Sequence, residues 1–135
     1  MTYDQIFSSS YQRALGNDYY QADFIGSFYE HFFSKSTSIA DMFANTNMSM
    51  QKTMLHDSLH ILLDFYKDRE LTDSLHKLAE IHGRSGLDVP DELYDLWTES
   101  LIETVARFDP EFDRDVELAW RLVLAPGITY IKFIE

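Results

Sequence analysis

Two residues of this chain carry chemistry worth arguing from: Phe43 and His82. His82 closes the apolar-periodic segment running from Leu71, and the break Gly83-Arg84-Ser85-Gly86 follows at once. An imidazole placed there can give one ring nitrogen to a metal. The helix dipole also favours a histidine in a last turn, so position alone does not decide its role. Phe43 lies in the short irregular stretch from Asp41 to Asn47, where its ring can wedge against a flat group. A metal-binding imidazole and an aromatic wedge in an otherwise apolar helical chain are what a haem iron needs.

Other polar side chains compete for roles around that pair. Tyr29 shares a face with Phe28 and Phe32, and its hydroxyl either points into a pocket or reaches solvent. Gln51 stands near a helix start, with an amide that can donate inward or remain exposed. His56 offers a second metal ligand. That choice would put His60 one turn on, where a pocket wants an apolar side chain. Turning Gln51 inward instead brings Leu55, Leu59 and Leu62 to the same face. His31 and His76 have polar neighbours and read as surface residues. Trp97 and Trp120 read as core, with Trp97 within reach of a bound group. There is no acid pair suited to glycoside chemistry, no phosphate loop, no activated serine and no His-Glu-His metal spacing. No catalytic residue is nominated. Lys52 and Arg84 are the cations chosen to meet haem propionates.

These residues need a scaffold, and composition points to helices. A chain of 135 residues makes one domain, 1–135, with room for a core. Only 5 glycines and 3 prolines interrupt it, too few for a sheet with many turns. Aromatics make up 15%, enough to wall a large flat ligand. The net charge of −12 repels nucleic acid and anionic membranes, and it favours a protein partner with a basic face. The chain has no cysteine, which excludes disulfides, zinc thiolates and iron–sulfur clusters. The first residues, Met1 to Gln5, lack the pattern of a signal peptide, and a cytoplasmic protein is expected.

The spacing predicts about seven helices. From Tyr19 to Lys35 the face is Ala22, Ile25, Phe28, Tyr29, Phe32 and Phe33. A helix from about Ser49 to Tyr66 carries Met54, Leu55, Leu59, Leu62 and Leu63. Pro90 opens a helix with the face Leu93, Leu96, Trp97, Leu101, Val105 and Phe108. Asp109-Pro110-Glu111 is expected to cap and start the last helix, with a kink at Pro126. The first segment, Tyr3 to Leu15, is weakly periodic, with Ile6, Phe7 and Ala14 as its anchors.

Taken in order, Phe28-Tyr29-Glu30-His31-Phe32-Phe33, Phe43, Gln51-Lys52-Thr53-Met54-Leu55, Leu78-Ala79-Glu80-Ile81-His82 and Ala119-Trp120 resemble the globin family. The likeness is to single-domain bacterial haemoglobins and the globin part of flavohaemoglobins. It implies an all-α, three-on-three helical sandwich with a short first helix. It implies haem b between the helix of Gln51 and the helix of His82. His82 would be the proximal and only protein ligand of the iron, with Phe43 on the ring and Leu78 beneath it. Tyr29 and Gln51 would be the distal polar pair, with Leu55 over the iron. Leu87, Val89 and Trp97 would complete the haem contacts. A carboxylate at Glu135, acting through Tyr94, would support His82.

What the resemblance implies about activity is reversible binding of dioxygen, with nitric oxide and carbon monoxide at the same site. Two alternatives stay open. One is a nitric oxide dioxygenase or peroxidase-type enzyme served by a separate reductase, since the chain has no flavin or nicotinamide domain. The other is a gas sensor or a haem-free interaction module, whose apolar stripes would be explained by packing alone.

Overall fold

The computed structural model describes residues 1–16, 18–82 and 89–134, and the side chains of 18–23 lie outside that description. Among the described residues seven helices follow one another: α1 Tyr3–Leu15, α2 Asp18–Ser34, α3 Thr37–Met42, α4 Met48–Asp68, α5 Asp73–His82, α6 Asp91–Phe108 and α7 Arg114–Phe133. Their starts are written in side chains that satisfy the otherwise unpaired first amides. Thr2 and Gln5 form a reciprocal capping box on α1. Asn47 accepts from the amides of Ser49 and Met50 to open α4. The Thr72 hydroxyl accepts from the Leu75 amide at the head of α5.

Helices α1, α4 and α5 pack across α2, α6 and α7, and the short α3 links α2 to α4. This is the expected three-on-three arrangement. Trp120 is fully buried on α7, with its ring 4.4 Å from that of Phe7 on α1 and tilted to it by 52°. The Trp120 indole donates to Ser10 Oγ at 2.9 Å, and Ser10 donates to Asp109 Oδ2 at 2.6 Å. Arg13 closes the set with two bonds to the same carboxylate, at 2.6 and 3.0 Å. Burial pushes the Asp109 carboxyl up, but bonds from Arg13, Ser10 and the Glu111 amide outweigh it and hold the group below its usual range.

That network corrects the expectation for the last helix. Asp109 does not start α7. Its carboxylate turns back to α1, and Asp113 becomes the cap by accepting from the Val116 amide at 2.9 Å. It also explains how a weakly periodic first helix holds: Ser10, Tyr11 and Leu15 are buried beside the anchors Phe7 and Ala14. Pro126 lies inside α7, and the helix runs on through it to Phe133. His31 and His76 are partly exposed, as expected of surface residues, but both have partners: His31 pairs with Glu103, and His76 with Glu80 and Tyr130.

Candidate functional site

Between α4, α5 and α6 the side chains stand back from one another and leave a cavity of about 220 Å³. His82, Phe43, Tyr29, Gln51, Leu55, Leu78, Val89 and Trp97 all line it. Leu87 and Arg84 lie outside the described residues. The remaining lining is mostly apolar, including Met54 and Leu62 from α4, Ile39 from α3, Leu93 and Tyr94 from α6, and Ile128 and Ile131 from α7. The polar exceptions Thr46 and Ser58 were not foreseen. Ser58 could have been found, because it follows Gln51, Met54 and Leu55 on one helical face. The α7 residues carried no such signal, since only tertiary packing brings them here.

Each wall has a local cause. Phe43 ends α3 at the bend into α4, and its ring is held by α2: it lies 5.3 Å from Phe33, 6.2 Å from Tyr29 and 6.3 Å from Phe32. Trp97 meets Phe28 edge-on at 5.9 Å. Val89 is tied to the end of α5 by its amide, which donates to the His82 carbonyl at 3.0 Å. Lys52 is exposed on α4 beside Gln51.

His82 is oriented by its own helix. Its Nδ1 lies 2.8 Å from the Leu78 carbonyl oxygen. A carbonyl only accepts, so Nδ1 carries the hydrogen and the neutral ring keeps its lone pair on Nε2. This differs from the relay expected through Tyr94. The acceptor is a carbonyl one turn back on the same helix, and the Tyr94 ring centre lies 6.3 Å from that of the imidazole. Glu135 lies outside the described residues.

Across the cavity, Tyr29 is buried, and its hydroxyl donates to the main-chain carbonyl of Gln51 at 3.2 Å. The two residues of the expected distal pair thus meet through the Gln51 backbone, with the Tyr29 hydroxyl as donor. Burial pushes the phenol up to about 12, against a smaller opposite pull from that bond, so it keeps its proton at neutral pH. His56, the alternative ligand, does not line the cavity. It stands with His60 against Tyr11 of α1.

A lone imidazole does not hold a metal ion by itself, and among the described residues no group of three or more His, Asp or Glu could do so. A planar macrocycle that brings its own in-plane ligands suits this donor set: one lone-pair nitrogen, a flat aromatic wedge and apolar walls.

Comparison with known proteins agrees with this geometry. The globin family model matches residues 26–129. A search of curated proteins found no match. Among solved structures, the chain is similar to the protein PA3967 from Pseudomonas aeruginosa PAO1, described as structurally highly homologous to a human haemoglobin. Identity is 33% and the TM-score 0.88, over 97% of this chain and 96% of that one. No described helix is long and apolar enough to cross a membrane. The chain belongs to the globin family.

Proposed function

We propose that this globin binds haem b in the cavity between α4 and α5, with His82 Nε2 as the protein's ligand to the iron, and that it takes up dioxygen reversibly. The observation that carries the reading is the Leu78 carbonyl fixing Nδ1 as the protonated nitrogen of His82. Bound haem supplies the capture of dioxygen, nitric oxide and carbon monoxide.

The chain's own residues do the rest. Phe43, Leu55, Leu78, Val89 and Trp97 line the cavity and would exclude water from the macrocycle and hold its apolar part. Tyr29 keeps a proton on the open side. Its hydroxyl, now donated to the Gln51 carbonyl, needs only a rotation to turn toward a polarised guest, and the Gln51 amide offers a second donor. A donor in a dry site holds a partly negative guest more tightly than one in water.

The test is haem loading followed by absorption spectra of the oxidised, reduced and gas-exposed forms. His82→Ala should abolish or grossly alter the haem spectrum while circular dichroism still reports helix. An unchanged spectrum in that variant would remove the assignment. Tyr29→Phe should speed dioxygen release about 10-fold, as expected for loss of a donor bond of ~1.5 kcal/mol. Release at the wild-type rate would shift the donor role to Gln51.

A further inference from the structure

A second cluster, separate from the cavity, stands on α4 where it meets α1. His56 and His60 are one helical turn apart, so their side chains share a face, and their ring centroids are 4.8 Å apart. One nitrogen of each ring is engaged. His56 Nδ1 lies 3.3 Å from Asp57 Oδ1, and His60 Nε2 lies 3.3 Å from the Tyr11 hydroxyl. A carboxylate only accepts, so His56 Nδ1 carries the hydrogen and its lone pair is at Nε2. The Tyr11 hydroxyl can donate or accept, and the tautomer in which it accepts from His60 Nε2 leaves the lone pair at Nδ1, free for a metal. Histidines that ligate metals are held in this way, with the other ring nitrogen bonded to a carboxylate or another oxygen. His60 is exposed and His56 half-exposed, so a solvated ion can reach both.

We propose that His56 Nε2 and His60 Nδ1 form a two-imidazole chelate for a divalent first-row transition metal, with water completing its coordination. Imidazole suits copper, nickel and zinc, and the stability order of these ions puts Cu(II) first. The net charge of −12 raises the local concentration of cations around the protein. Two protein donors make an open, exchangeable site rather than a closed structural one. His76 contrasts with it: Nε2 lies 2.9 Å from Glu80, and Nδ1 lies 3.1 Å from the Tyr130 hydroxyl, so both ring nitrogens already have partners.

The full-length protein is titrated with Cu(II) by calorimetry, and the complex is examined by electron paramagnetic resonance. A single Cu(II) with hyperfine structure from two imidazole nitrogens is expected. His56→Ala and His60→Ala should each weaken binding by at least ~10-fold, and Asp57→Asn by less. His76→Ala should leave the affinity unchanged. The proposal is overturned if His60→Ala binds Cu(II) like the wild type. It is equally overturned if the resonance shows fewer than two nitrogens, or if His76→Ala is the change that abolishes binding.

Discussion

Around Trp120 the polar groups close on themselves and aromatic rings fill the space. Ser10, Arg13, Asp109 and the indole bond to one another, and Phe7 lies against the tryptophan. Around His82 the opposite holds. Apolar side chains stand about a cavity of about 220 Å³, and the two polar groups that matter, His82 and Tyr29, are bonded to main-chain carbonyls. Where the core is finished with side chains, the chain fixes the crossing of α1, α6 and α7. Where it is unfinished, the donors hang on helices that the finished part holds still. The division suggests that rigidity and binding are assigned to different ends of the molecule.

The sharpest way to break this contrast is Asp109→Ala. It leaves Arg13 with only the longer contact to Glu111 and Ser10 without its acceptor, in a region where Asp109 is almost fully buried. A loss of ~3–5 kcal/mol is expected in denaturant unfolding. The haem spectrum of the folded fraction should not change. A shifted spectrum would mean that the two ends are mechanically coupled.

Next in size is an alkaline effect that probes the cavity side. Burial pushes Tyr29 up to about 12, and burial followed by the charge of Asp91 does the same for Tyr94. Folding therefore favours the protonated phenols. Their stabilising contribution is full below the unfolded value of about 10 and declines as pH rises through about 12. For Tyr29 the decline amounts to about 2–3 kcal/mol. Unfolding measured at a series of pH values should show the decline, and Tyr29→Phe should remove part of it. An unchanged profile in that variant would place the sensitivity elsewhere.

The smallest effect tests the seam between the two ends. Gly127 on α7 lies against α4, where an added Cβ would overlap Leu62 Cδ2. Leu62 lines the cavity and can swing into it. Gly127→Ala should therefore change stability by less than ~1 kcal/mol, since rotamer strain is offset by better helix propensity. The same substitution should shift the haem spectrum. A large stability loss with an unchanged spectrum would show that Leu62 has no room to move.

Much of the cavity was legible beforehand because helical period is a local property. Tyr29, Gln51, Leu55, Leu78 and His82 each sit on the apolar face of their helix, and a face that repeats every three or four residues must turn inward. Phe43 was legible for a different reason, as an aromatic ring stranded in a polar bend. The start of α7 was misread because Asp109 has a better use 96 residues away, on Arg13, than as a cap. The bond from His82 to the Leu78 carbonyl was not legible because a backbone acceptor carries no residue-specific signal.

By itself, then, the order of side chains determined that the chain is helical, which face of each helix is apolar, and which imidazole and phenol are candidates for chemistry. Those follow from spacing and residue type, and they hold for each helix considered alone. Only the tertiary structure decided which partner each polar atom takes and that His56 faces α1 rather than the cavity. It alone brings Ile128 and Ile131 of the last helix to the site. Such choices depend on competition between distant groups for the same acceptor or the same space, and that competition exists only once the helices are packed.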